Sequence, residues 1–184
     1  AEDGIRDKLV TGVQTCALPI FNASGLLVGS ELGEHHKPET HVIPLLLEAA
    51  RQGTPFYIFG DDYPNPDGTC IRDFLHVIDI ADAHAKALDY LLAGNKPDYF
   101  NLGTGTGYSV KELIATVEKV TKLPVKTIVH QRRAGDPAVL VANPQHAWHV
   151  LGWKAQHSDL TSIIESAWQG YAMSSREDER HLTL

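Results

Sequence analysis

Cysteine is scarce: Cys16 and Cys70 are the two in 184 residues. Two thiols are too few for a disulfide framework and lack metal-binding spacing, which points to the cytoplasm. No apolar run approaches the roughly 18 residues of a membrane-spanning helix. Net charge is −7 and the pI is near 5.8, so a general basic footprint for nucleic acid is excluded, although local Arg clusters remain possible. The first residues, AEDGIRDK, carry both signs and lead into no long apolar stretch, so no secretory signal is visible. What is there is enough for a core: 43% of residues are hydrophobic and 21% charged, outside the range of compositional disorder.

Residues 1–20 differ from the rest. They hold no sustained period of 3.6 or 2, and only the stretch from Cys16 to Phe21, broken by Pro19, could form an edge strand. The segment resembles a translated sequencing adapter and reads as a non-native or unstructured leader. Residues 21–173 form the candidate domain, and 174–184 a charged tail that frays.

Within the domain the punctuation is regular. Asn22–Lys37 reads as a loop, and Thr40 as the cap of a helix ending at Gly53. Phe56–Phe59 and Cys70–Val77 read as strands around a turn-rich loop, DDYPNPDGT. Asp79 is expected to cap a helix that buries Ile80, Ala83, Ala87, Leu88, Leu91 and Leu92 and ends at Gly94. Tyr99–Leu102 reads as a strand. Ser109 and Glu112 form a capping box, and Val125–His130 is a further strand. Asn143–Pro144 starts a short helix that stops at Gly152, and Asp159 caps the last one, whose Leu160, Ile163, Ile164, Ala167, Trp168 and Tyr171 are expected to face inward. Trp148, Trp153 and Trp168 are expected as core anchors. The fold class is α/β or α+β, with too few strands for a complete doubly wound sheet.

Three stretches could carry chemistry. Gly103, Gly105 and Gly107 lie between a strand and a capped helix, but G-x-G-x-x-G is not met because position 108 is Tyr. Their expected role is a tight turn for close packing. Arg132, Arg133 and Asp136 leave two readings open: guanidinium forks for a diphosphate beside a ribose-binding carboxylate, or an exposed Arg–Asp network. Tyr57–Asp73 can present aromatic and backbone groups beside Arg72 to a flat base, or be a hairpin packed on its own Tyr and Pro residues. His35, His36 and His41 are close in sequence but show no metal-type spacing on one helix face. Cys70 is expected to be a buried, inert thiol. No Ser/His/Asp or Cys/His arrangement is evident, and no metal site is expected.

Together, FNASG (21–25), THVIPL (40–45), IFGDDYPNPDGTCIRDFLHV (58–77), DIADAHAKALDYL (79–91), FNLGTGTGYSVKEL (100–113) and RRAGDPAVLVAN (132–143) resemble the C-terminal portion of the UDP-glucose 4-epimerases. These belong to the extended short-chain dehydrogenase/reductase group. The resemblance implies the C-terminal, UDP-sugar-binding part of a Rossmann-type fold, with the N-terminal NAD-binding domain largely missing. It implies a parent that interconverts UDP-galactose and UDP-glucose through a 4-keto intermediate with NAD, in the cytoplasm, as a homodimer formed through the missing domain. No nucleic-acid or membrane partner is implied.

By position, the resemblance matches Asn22, His41 and Val42 to the sugar and diphosphate side of the pocket, and Tyr57, Ile58 and Phe59 to the uridine-binding strand. Arg72 and Arg133 match phosphate-binding arginines, Asp136 a ribose-binding carboxylate, and Phe21 a residue beside the nicotinamide. His41 departs from the usual Asn. No Tyr is followed four positions later by Lys, so the family's acid/base pair is absent and the chain alone is expected to be inactive. The alternatives are another UDP-sugar epimerase or dehydratase of the group, and a non-catalytic UDP-binding module.

Overall fold

A computed structural model of the chain describes residues 16–18, 22–27, 36 and 38–181, with side chains to Tyr171. Phe21 and His35 lie outside the described residues, as does most of the leader. Among the described residues are five helices and seven short strands, an α/β arrangement.

The first core gathers three helices. α1 (Val42–Gln52) buries Ile43, Leu46, Leu47 and Ala50 and stops at Gly53, whose φ of 68° suits a residue without a Cβ. Thr40 is not its cap. His41 holds that position, and Glu39 Oε1 accepts the backbone N–H groups of Thr40 and His41 at 2.7 and 2.8 Å. Pro44, in the first turn, has no N–H for a hydroxyl cap to satisfy. α3 (Val110–Thr121) begins with the expected capping box: Ser109 Oγ accepts from Glu112 N at 3.1 Å, and Glu112 Oε2 from Ser109 N at 2.7 Å. α5 (Leu160–His181) is capped by Asp159, whose Oδ1 accepts from Ser162 N at 3.1 Å, and it continues through most of the charged tail. Its Leu160, Ile163 and Ile164 meet α1 and α3, with Ala167, Trp168 and Tyr171 at the rim.

The second core lies under α2 (Val77–Leu92) and α4 (Gln145–Leu151), around the fully buried Phe100, Leu102 and Trp153. The cap of α2 is His76, whose Nδ1 accepts from Ile78 N at 3.1 Å. Asp79 instead pins the segment before α5, accepting from Gln156 N and His157 N at 2.9 Å each and from the Ser158 hydroxyl. Those three donors lie over 70 positions away, so sequence pattern could not announce them. α2 packs through Ala83 and Ala87; Leu88 and Leu92 are 56% and 75% exposed, against expectation. The helix is held by its small residues, which leaves its larger ones at the rim. Trp148 is likewise partly exposed and lies under Lys154.

The strands form three small sheets. β1 (Asn22–Ser24), within the expected loop, runs parallel to β4 (Phe74–His76) with Asn22 opposite Phe74. β2 (Phe56–Phe59) runs parallel to β6 (Thr127–His130) with Phe56 opposite Thr127. β3 (Ile71–Arg72) lies between β5 (Tyr108–Ser109), antiparallel, and β7 (Val139–Leu140), parallel. The expected single strand over Cys70–Val77 therefore divides at Asp73 between two sheets. Tyr99–Leu102 is not a continuous strand; it carries isolated bridges at Tyr99, which pairs with Ala17, and at Leu102, and Cys16 and Leu18 pack beside them on the second core.

Candidate functional site

Strand β3, strand β2, the head of α1 and the loop 133–136 enclose a cleft of about 630 Å³. All nine residues singled out for substrate line it: Asn22, His41, Val42, Tyr57, Ile58, Phe59, Arg72, Arg133 and Asp136. They come from five separate stretches of sequence.

The cationic end is built around two arginines. Arg72 leaves β3 half-buried, donates from Nη1 to the Ile71 carbonyl at 2.7 Å and pairs through Nη2 with Asp136 Oδ1. Arg133 lies over Phe59, its guanidinium carbon 3.9 Å from the ring centroid. Period-two alternation along β2 puts Tyr57 and Phe59 on one face, where both rings meet His130, at 4.9 and 5.8 Å between centroids. Phe56 and Ile58 point the other way, into the first core. Ile58 thus contributes chiefly packing, while Tyr57 and Phe59 join Phe56, Phe74 and Tyr108 among the rings that line the cleft.

Arg132 is turned to a structural task. It donates from Nε to Asp62 Oδ1 at 2.6 Å and covers the Tyr63 ring at 4.2 Å. That bond holds the Asp62 carboxyl below its usual range. The loop 61–69 is tied down from inside: Asn65 Nδ2 donates to the carbonyls of Thr69 and Ala138 at 2.8 and 2.9 Å. Asp67 accepts from Thr69 N at 2.8 Å and from the Ser109 hydroxyl. The loop 61–69 is thus packed on itself, but no hairpin forms, since β2 pairs with β6 and β3 with β5 and β7; Tyr57, Phe59 and Arg72 on either side of it line the cleft. Burial raises the Cys70 thiol above its ordinary value, against the opposing effect of Arg72, so it stays protonated.

The organising residue that sequence reasoning missed is Asp73. It is fully buried, and its carboxylate accepts from Thr104 Oγ1 at 2.7 Å, Thr104 N at 3.1 Å, Gly105 N at 3.2 Å and Ala142 N at 3.3 Å. Its backbone joins both sheets as well: its N–H donates to the Leu140 carbonyl at 3.2 Å, and its carbonyl accepts from Asn22 Nδ2 at 2.7 Å. The amides of the glycine loop are thus turned onto an internal carboxylate. A Cβ at Gly103 would stand 2.2 Å from that of Ala142 and 2.6 Å from Asp73 Oδ2, so close packing is the reason for that glycine. The only sequence signal was an acid next to Arg72 at the end of the expected strand.

This geometry can do one thing chemically. Two guanidiniums at the mouth of an aromatic-walled cleft, one steadied by a carboxylate, suit a planar ring bearing phosphates. At the other end, Asn22, His41 and Val42 offer few charges.

The chain is 48% identical over 175 residues to a UDP-glucose 4-epimerase of Rhizobium meliloti, covering 93% of this chain and 52% of that protein. A crystal structure of UDP-glucose 4-epimerase from Brucella ovis in complex with NAD superposes with a TM-score of 0.83 at 42% identity, over 88% of this chain and 50% of that one. One from Bifidobacterium longum, in complex with NAD+ and UDP, gives 0.79 at 33% identity, over 86% and 47%. The chain therefore spans about half the length of the curated relatives it matches. A family model described as "NAD dependent epimerase/dehydratase family" matches residues 10–103. The loop that holds Asp73, the strand that carries Arg72 and the head of α1 all fall inside or at the edge of that match: the chain belongs to the NAD dependent epimerase/dehydratase family.

Proposed function

We propose that this chain is the UDP-sugar-binding part of a UDP-glucose 4-epimerase and supplies that enzyme's grip on uridine diphosphate. The observation that carries this is convergence: Arg72, Arg133 and Asp136, drawn from two distant stretches, line one cleft with Tyr57 and Phe59. In this reading the guanidiniums take the diphosphate and the β2 rings flank the uracil. Asp136 accepts from the ribose hydroxyls. Arg72 engages Asp136 Oδ1, and an ionised carboxylate offers about four lone-pair sites, so Oδ2 retains accepting capacity. Asn22, His41 and Val42 border the hexose, which stays loose enough to turn while its nucleotide is held.

The parent reaction interconverts UDP-galactose and UDP-glucose through a 4-keto sugar with NAD, in the cytoplasm, by a homodimer joined through residues other than these. The residues present here do not fit NAD. The glycine loop directs its amides at Asp73 instead of outward, its spacing is not G-x-G-x-x-G, and the Tyr-x-x-x-Lys pair is absent. No step of the reaction is assigned to this chain, which is expected to bind nucleotide and turn nothing over.

Calorimetry of UDP against the 184-residue chain tests this. Binding is expected, weakened about tenfold or more in Arg133→Ala, as the loss of a charge-assisted hydrogen bond of about 1.5–3 kcal/mol implies. A chain that ignores UDP, or an R133A variant that binds as well as the parent, would sink the reading. Preference for UDP-N-acetylglucosamine over UDP-glucose would move it to another sugar within the same group.

A further inference from the structure

A second cluster stands at the head of α1, beside the cleft, and shares only His41 with the nucleotide reading. Glu39 lies between two imidazoles. Its Oε2 is 3.5 Å from His36 Nδ1 and its Oε1 is 3.2 Å from His41 Nδ1. The two rings meet edge to face with centroids 4.8 Å apart. One ligand atom from each of the three residues falls within a span of 4.8 Å. We propose that His36, Glu39 and His41 form a binding site for a transition-metal dication of the zinc class.

Three physical arguments carry it. The first is size. Zinc bonds imidazole nitrogen and carboxylate oxygen at about 2.0–2.2 Å, so neighbouring ligand atoms in its tetrahedron stand about 3.4 Å apart. The contacts to the carboxylate, 3.5 Å from His36 to Oε2 and 3.2 Å from His41 to Oε1, are close to that edge, and the set as a whole, within 4.8 Å, would draw together on an ion. The second is donor chemistry. Two imidazoles and one carboxylate suit zinc, nickel or copper; magnesium and calcium want all-oxygen shells. The third is support. The backbone N–H groups of Thr40 and His41 hold Glu39 Oε1 at 2.7 and 2.8 Å, which fixes the carboxylate between the rings as an outer-shell partner does.

The His36 and His41 side chains are 51% and 54% exposed, so an ion has a path in. Three protein ligands leave a fourth position for water, the arrangement of open and not of closed zinc sites. His41 is also a wall of the cleft, so the ion would stand at its edge. In sequence the set reads His-x-x-Glu-x-His. His36 and His41 were visible, but Glu39 was not recognised as the ligand between them. This proposal does not depend on whether the cleft binds UDP.

The test uses Zn2+ calorimetry and Co2+ absorption on the whole chain. One ion per chain is expected, with Co2+ giving the visible d–d bands of nitrogen ligation at low coordination number. H36A, E39Q and H41N should each weaken Zn2+ binding about tenfold or more and abolish those bands. Excess Mg2+ should not displace zinc. H146A, which removes the separate His146–Asp98 pair, should change nothing. The Co2+ spectrum of the unaltered chain stands even if a variant folds poorly. Absent d–d bands would overturn the site, as would Zn2+ binding that H36A and H41N leave intact while H146A abolishes it.

Discussion

The guanidinium of Arg133 lies 3.9 Å above the ring of Phe59, so one residue of strand β2 sets the height and tilt of a cation carried by a loop more than 70 positions later. A partly exposed cation–π contact is worth about 0.5–1 kcal/mol. Phe59→Leu keeps the apolar wall and removes the platform. It should weaken UDP binding about two- to fivefold and leave secondary structure unchanged, as read by calorimetry and circular dichroism. Equal affinity in F59L and the parent chain would show that Arg133 needs no platform.

Arg72 and Asp136 form a second cationic unit, half-buried at 15% and 28% side-chain exposure. Removing the carboxylate leaves the guanidinium partly desolvated and unmatched. Asp136→Ala should cost about 1 kcal/mol or more in urea unfolding, while Arg72→Ala together with Asp136→Ala should cost less than the sum of the two. A strictly additive double variant would mean the pair carries no coupling.

Asp73 has the larger structural effect. Asp73→Asn replaces one accepting oxygen with an N–H donor that faces other donors, so at least one buried bond becomes a repulsion. A loss of about 2–3 kcal/mol is expected, read from the urea midpoint. Gly103→Ala should be destabilising as well, because its Cβ would collide with Ala142 and with the Asp73 carboxylate. An Asn variant as stable as the parent would contradict the role given to this acid.

Stability should fall on mild acidification because of His76. Burial holds its imidazole below the ordinary 6.5, opposed by nearby Asp79 and reinforced by His157. The neutral ring is also the one that fits: Nδ1 accepts from Ile78 N, so Nε2 keeps the proton facing Ser166 Oγ at 3.0 Å. Between the folded and unfolded values the unfolded chain binds the extra proton, so stability rises with pH in that window. The contribution is full above about 6.5 and fades as pH drops toward the lowered folded value. Urea midpoints across pH 5–7.5 should show this slope. His76→Asn, which keeps a capping side chain, should flatten it; an unchanged slope would assign the effect elsewhere.

Lys122 closes α3 with a φ of 59°, a left-handed conformation that costs a residue with a Cβ about 1–2 kcal/mol. Lys122→Gly removes that cost and adds unfolded-chain entropy of about 0.4–1 kcal/mol. A net gain of about 0.5–1 kcal/mol in the urea transition is expected. A lower midpoint would mean that the lysine side chain contributes more than its backbone costs.

Local chemistry was legible from residues alone. The Ser109–Glu112 box, the Asp159 cap, the glycine stops at 53 and 152 and the inward face of α5 all depend on groups within a turn or two of each other, and spacing in sequence reports such groups directly. Arg72, Arg133 and Asp136, which line the cleft, were singled out by residue type as well, though their convergence was not. What tertiary structure decided is every relation across distance. It brought Arg72 to Asp136, 64 positions away, and laid Arg133 on Phe59. It sent Asp73 and Asp79 inward to satisfy remote backbone amides, a role that spacing did not announce for the first and replaced by a helix cap for the second. It divided one apparent strand between two sheets and packed α2 on its alanines. A buried carboxylate takes whatever donors the folded chain leaves unpaired beside it, and which donors those are is settled by packing between distant segments, not by periodicity within one.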